Sequence, residues 1–143
     1  MKFLKYTFLI ITLMLTQVFL LGNDCNNTFK KCKSPDQSYK ISSSSRSIRL
    51  TRGKKARVVL NAYGGRAYYF SLYAKPKVGM LQFRIINSLD NKILYDNSTE
   101  ALVDHKTIKL ESTQKLFIEV VAPNWKSDKN YECAGFKVAY KKI

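Results

Sequence analysis

Histidine and tryptophan are the scarcest residues of this sequence, and acid is far outnumbered by base. Its 143 residues hold one histidine, one tryptophan and ten acidic side chains, against 25 lysines and arginines. Hydrolytic machinery built from a nucleophile, a base and an orienting acid therefore has a single candidate base. That base is His105, beside Asp104, and a lone histidine entering a strand usually belongs to a surface or an edge. No GxSxG, P-loop or HExxH motif occurs. Glycosidic chemistry needs two carboxylates across a cleft, and no pair of acids is marked out for it. The three cysteines form no CxxC pair and stand far in sequence from the histidine, which leaves a zinc site without its ligand pattern. Helical stripes are also missing: past residue 22 no window of about 12 residues keeps an apolar period of 3.6. These absences point to a protein that is not an enzyme.

The first 22 residues read as an export signal. Lys2 and Lys5 precede the uncharged stretch 6–22, YTFLIITLMLTQVFLLG, and Gly22 and Asn23 follow as small or polar residues. Cleavage after Gly22 leaves Leu20 where a small residue is preferred. Two anchored alternatives stand beside secretion. An uncleaved membrane anchor would have 17 uncharged residues that include Thr7, Thr12, Thr16 and Gln17, which is marginal for a spanning helix. A lipid anchor on Cys25 would have Asp24 directly before it and no leucine at position 22. The expected destination is a secreted or periplasmic one.

The remainder suits one domain. Residues 23–45, with Asn26-Asn27, Pro35-Asp36 and the serines at 42–45, read as an irregular N-terminal arm, and 46–143 as the folded domain. From Ile48 onward the apolar period is two. Ala56, Val58, Leu60 and Ala62 share one face; so do Tyr68, Phe70 and Leu72; Leu81, Phe83 and Ile85; Ile108 and Leu110; Leu116, Ile118 and Val120; and Phe136, Val138 and Tyr140. A short strand falls within residues 91–95. Gly64-Gly65 reads as a tight hairpin, with further turns at Pro76 to Gly79, Asp90-Asn91, Ser112-Thr113 and Pro123 to Asn130. About eight half-buried strands predict an all-β protein, an antiparallel β-sandwich of jelly-roll or immunoglobulin-like type.

Export permits disulfides. Cys25, Cys32 and Cys133 allow three single pairings. Cys32 with Cys133 is preferred, because it ties the arm to the last strand and closes a long loop, a constraint on the order of 4 kcal/mol. Cys25 with Cys32 is the local alternative.

The segments GGRAYYFSLYA, MLQFRIINSLDNKILYDNS, KLFIEVVAP and ECAGFKVAY resemble uncharacterised small secreted β-sandwich proteins of Bacteroidetes-type bacteria, over roughly residues 50–140. The chain is similar, more distantly, to pre-peptidase C-terminal-like domains, which implies an accessory module with no catalytic role. The first family's pattern has a cysteine where this chain has Tyr73. The resemblance therefore implies that Cys133 pairs with the arm.

Net charge is +15, or +13 once Lys2 and Lys5 are removed. Such an excess favours anionic partners: acidic polysaccharide, lipopolysaccharide or a membrane surface. Nucleic acid fits an exported chain without a recognition motif poorly. Arg46, Arg49, Arg52, Lys54, Lys55, Arg57 and Arg66 cluster early, while Arg84, Lys109, Lys137 and Lys141 take the parity opposite the apolar face. Tyr69 and Tyr73 share that outward parity, where rings beside basic groups stack on sugars and pair with anions. The candidate ligand set is thus Tyr69, Tyr73, Arg49, Arg57, Arg66 and Arg84, with Trp125 a second aromatic candidate. The competing reading is a solvated surface whose lysines discourage edge pairing, with the tyrosines covered by the arm. Asp90, Asp96, Glu100 and Asp104, with Asn91 and Asn97, are weak candidates for Ca²⁺, which takes six to eight oxygens. Two functions remain: a binding or accessory protein with a basic face for anionic envelope or glycan ligands, or an interaction module that meets a protein partner through sheet edges or the arm.

Overall fold

The computed structural model describes residues 25–143. The expected signal segment, 1–22, lies outside the described residues. Among those described, no helix is long and apolar enough to cross a membrane.

Nine strands follow in order: β1 Lys40–Ile41, β2 Arg46–Thr51, β3 Ala56–Ala62, β4 Arg66–Ala74, β5 Gln82–Asn87, β6 Ile93–Asp96, β7 His105–Leu110, β8 Gln114–Val121 and β9 Tyr131–Lys142. Their antiparallel pairings nest, β2 with β9, β3 with β8, β4 with β7 and β5 with β6. In addition β9 pairs β4, and β8 pairs β5. One sheet thus runs β2-β9-β4-β7, with β1 also on the β9 edge, and the other runs β3-β8-β5-β6. A nested ribbon rolled into two sheets is a jelly roll, and this order selects it over the immunoglobulin-like option.

The alternation read from sequence is the one that folds. Val58, Leu60 and Ala62 point inward from β3, Phe83 and Ile85 from β5, Leu116, Ile118 and Val120 from β8, and Phe70 and Phe136 from the facing sheet. Each of these valine, leucine, isoleucine and phenylalanine side chains taken from water contributes about 1.5–3 kcal/mol, and a register slip of one residue would expose a whole set.

The Gly64-Gly65 reading requires correction. The strands flanking it belong to different sheets, so the turn is a crossover at the sandwich edge and not a hairpin. Glycine is needed for a different reason: a Cβ on Gly64 would lie 2.5 Å from the Glu111 carbonyl oxygen.

Residues 25–39 lie across the outer face of the β9–β4 side. The bridge there is Cys25–Cys133, with Cα atoms 5.1 Å apart, so the preferred Cys32–Cys133 pairing is incorrect. Both cysteines reach the same stretch of β9, and the short 3₁₀ turn Thr28–Lys31 between them presents Cys25 to Cys133. The bridge also commits the sulfur that a lipid anchor on Cys25 would require. Cys32 is free and buried, its thiol pushed up to about 11 by burial. Gly135 admits this approach, since a Cβ there would stand 2.7 Å from Phe29 Cα and from the Thr28 carbonyl oxygen. The Lys137 ammonium, under the arm, donates to the Cys32 carbonyl at 2.7 Å and to Ser34 Oγ at 2.8 Å.

Candidate functional site

Four connections meet at one end of the sandwich: residues 52–55, 75–81, 97–104 and 122–130. Hydrogen bonds lock three of them together. The backbone N–H of Arg52 donates to the Asn130 carbonyl at 2.9 Å, and its guanidinium donates to the Ser127 carbonyl. The Lys126 N–H donates to the Lys77 carbonyl at 3.1 Å. Glu132, buried at the start of β9, accepts from Lys77 Nζ at 2.7 Å and from Ser127 Oγ at 2.6 Å. The Lys77 bond comes first among the causes that hold this carboxyl below the usual carboxylate range.

Composition makes this end basic. The four connections carry Arg52, Lys54, Lys55, Lys75, Lys77, Lys126 and Lys129 against Asp128 and, on 97–104, Glu100 and Asp104. Opposite-signed partners take up part of that charge, Glu119 for Lys55 and Glu132 for Lys77. Lys75, Lys126 and Lys129 are exposed and, among the described residues, figure in no ion pair.

Beside the basic loops opens a groove of about 630 Å³. Met80, Leu102 and Val103 give it an apolar wall, and Lys33, Lys126 and Asp104 a polar rim. Met80 and Val103 are exposed. A concavity of this size with few polar groups on an apolar lining is the usual form of a small-ligand site. Asn97 sets its shape. This side chain is fully buried; its Oδ1 accepts from the Phe83 N–H at 2.8 Å, and its Nδ2 donates to the Leu81 and Val103 carbonyls, each at 2.9 Å. It thereby joins β5 to both loops that wall the groove. Ala101 and Leu102 follow in succession in the left-handed region, at φ 53° and 56°. Such residues cost about 1–3 kcal/mol each and persist where surrounding contacts over-determine them. Here the Leu102 N–H bonds the Asn97 carbonyl and the Val103 N–H bonds the Glu100 carbonyl.

The six ligand candidates do not form one face. Tyr69 is buried beneath the arm, with Tyr39 edge-on at 6.2 Å and the His105 ring at 5.8 Å. Tyr73 is half-buried with Lys31 Nζ 5.7 Å above its ring, and it lines the groove. Arg49 covers Tyr131 at 4.1 Å and borders a second concavity of about 440 Å³ beside the Cys25 bridge. Arg66 lies between Tyr63 and Tyr140 at the opposite end of β4. Arg57 and Arg84 stand on the other sheet, bonded to Glu119 and Asp96, each at 2.6 Å. Outward parity is therefore not one surface. Arg84 points away from one sheet, Lys109 from the other, and Lys137 is buried. Trp125 packs against the core and donates its indole N–H to the Ser127 and Lys129 carbonyls, which shapes the loop that carries Lys126.

The calcium candidates are dispersed as well. Asp90 accepts from the Lys92 N–H of its own turn, Asp96 pairs with Arg84, Glu100 with Lys106, and Asp104 with Lys33 and His105. Among the described residues no three potential ligands converge. Burial pushes the Asp96 carboxyl up, but bonds from Ser98, Arg84 and Gln82 outweigh it and bring it from 3.8 down to about 2. A depressed value contributes stability that is complete above about pH 4 and is lost as pH falls toward 2. The stability gap between wild type and Asp96→Asn, followed by urea unfolding, is expected to close across that window. A gap that stays constant would contradict the assignment.

Ser71 stands opposite His105 in the β4–β7 register, and His105 Nδ1 lies 2.7 Å from Asp104 Oδ1. The order resembles a triad, yet Ser71 is fully buried and its Oγ makes no hydrogen bond of normal geometry, to His105 or to any other described group. Substrate cannot reach it in this arrangement.

No family model matches the chain, and no curated protein matches it. Among solved structures the chain is similar to that of Aeromonas hydrophila PliG, a periplasmic lysozyme inhibitor of g-type lysozyme. The identity is 10%, the TM-score 0.47, and the match covers 78% of this chain and 93% of that one.

Proposed function

We propose that the protein is an exported, non-catalytic binding or accessory protein that takes an anionic amphiphile at the loop end of its jelly roll. The ligand class is an acidic group carried on an apolar body, as in an envelope glycolipid. The observation that carries this reading is the juxtaposition at the groove. Lys126 borders it and exposed Lys75 stands one residue before its Pro76, while Met80, Leu102 and Val103 offer apolar contact. A bare polysaccharide would leave that apolar wall in water. The Cys25–Cys133 bridge and the export-like leader support an oxidising destination.

Calorimetric titration with dodecyl phosphate below its micelle concentration tests the reading, with dodecyl maltoside as the uncharged counterpart. Losing one charge-assisted contact removes about 1.5–3 kcal/mol. Lys126→Glu is accordingly expected to weaken binding by about tenfold or more, and binding is expected to fall steeply toward 1 M salt, where screening acts within about 3 Å. Equal affinity for the maltoside, or no effect of Lys126→Glu, would sink it.

A further inference from the structure

The outer face of the β3-β8-β5-β6 sheet holds a pattern that the loop-end site does not use. The arm lies on the other sheet, against β9 and β4. Strand register sets Arg57 opposite Glu119, Glu119 opposite Arg84, and Arg84 opposite Asp96. One row across all four strands thus reads plus, minus, plus, minus. The neighbouring row reads Val59, Phe117, Ile86 and, after a register shift in β6, Ile93; of these Ile86 is buried and Phe117 half-buried. Val59 is 45% exposed and Ile93 51%. The four residues of the charged row sum to zero, with Lys55 also reaching Glu119 at 3.6 Å.

We propose that this face is an isologous interface with a second copy of the chain. A two-fold axis parallel to the strands, passing between β8 and β5, lays face on face and reverses the order of each row. Reversed, plus-minus-plus-minus becomes minus-plus-minus-plus. Arg57 then meets the partner's Asp96, and Glu119 meets the partner's Arg84. Val59 likewise meets the partner's Ile93, and Phe117 the partner's Ile86. An axis across the strands would set like charge on like charge. An even, alternating row is complementary to its own reverse, which is the condition a two-fold contact imposes. Elsewhere the positive excess of the chain repels a second copy. Four strands about 4.8 Å apart and six residues at about 3.3 Å each span a patch of roughly 400 Å². A standard interface buries about 800 Å² per partner, so this dimer is weak and concentration-dependent.

Val59 and Ile93 lie on opposite edge strands of the sheet, so they supply a test that cannot be met within one copy. Both are exposed, and substitution there leaves the core untouched; a thermal melt of each variant checks this. Sedimentation velocity on the purified protein, from about 10 µM to about 1 mM, is expected to show monomer passing to dimer. Val59→Lys alone, and Ile93→Glu alone, are each expected to weaken association by about tenfold or more. The double variant sets the new ammonium against the new carboxylate across the two-fold axis. Long side chains span the rotation of about 30° between packed sheets, and association is expected to return to within about threefold of wild type. A chain that stays monomeric throughout overturns the proposal, whether the face is bare or covered by another segment or another protein. So does a dimer indifferent to Val59→Lys, or a double variant that fails to recover.

Discussion

Cys25→Ser is expected to lower the unfolding free energy by about 4–5 kcal/mol, the chain-entropy value for a closure of roughly 100 residues. The bridge spans a sequence separation of 108 and pins the start of the arm to the outer face of β9. Without it the unfolded chain gains its full freedom, and residues 25–31 lose the tether that holds the 3₁₀ turn over Gly135. Cys133→Ser is expected to match Cys25→Ser in size. The double substitution is expected to add little, because both remove one bond. Cys32→Ala leaves the bridge intact and is expected to cost only about 1 kcal/mol. Urea unfolding of the four variants distinguishes the pairings. A Cys32 variant as damaged as Cys133→Ser, with Cys25→Ser unaffected, would reverse the assignment. A rise in the denaturant slope of the bridge-free variants, from a more expanded unfolded state, is a second expected signature.

Asn97→Asp is expected to be nearly as damaging, at about 3–5 kcal/mol near neutral pH, although it changes one side-chain nitrogen to oxygen. The amide makes three hydrogen bonds from a fully buried position, two of them as donor to the Leu81 and Val103 carbonyls. A carboxylate presents acceptors to those acceptors and carries a charge with no basic partner among the bonds described. The effect reaches the groove, because Leu81 and Val103 both line it. Amide hydrogen exchange is expected to accelerate first at Leu102 and Val103, whose left-handed approach depends on Asn97. Exchange that accelerates evenly over the whole sandwich would separate Asn97 from the groove.

Much of the fold was legible because most strands have one wet face, which imprints a period of two on the sequence; β4 and β9, covered by the arm, are the exceptions. The period tells inside from outside for a strand but not which sheet the strand joins. For this reason Arg84 and Lys109 look equivalent in sequence and stand on opposite sides of the molecule, and Gly64-Gly65 looks like a hairpin although it is a crossover. The second obscurity is the arm, which has no period of its own. It buries Tyr69 and Lys137, both on outward parity, and turns Ala134 to Ala139 of β9 into an unbroken buried run. Gly135 and Ala139, on the arm-facing parity, do carry a signal of close approach in their small size. The cysteine pairing was not readable, because Cys25 and Cys32 arrive at the same part of β9 from the two sides of one short turn. Asn97 was singled out only as a weak calcium oxygen; nothing within YDNSTE marks it for burial, which follows from two loops that meet only in three dimensions. The basic end is a case of the same kind. Its lysines are scattered over three connections that hydrogen bonding brings together.

The central claim is that anionic amphiphiles bind at this loop end, and residue-resolved NMR of the labelled protein during titration with dodecyl phosphate tests it most directly. The predicted result is a set of saturable amide shifts concentrated in residues 75–81, 101–105 and 126–130, with the sheet faces unmoved. Shifts confined to the concavity beside Arg46 and Arg49, shifts scattered in proportion to surface lysine, or no saturable shift at all would contradict the account.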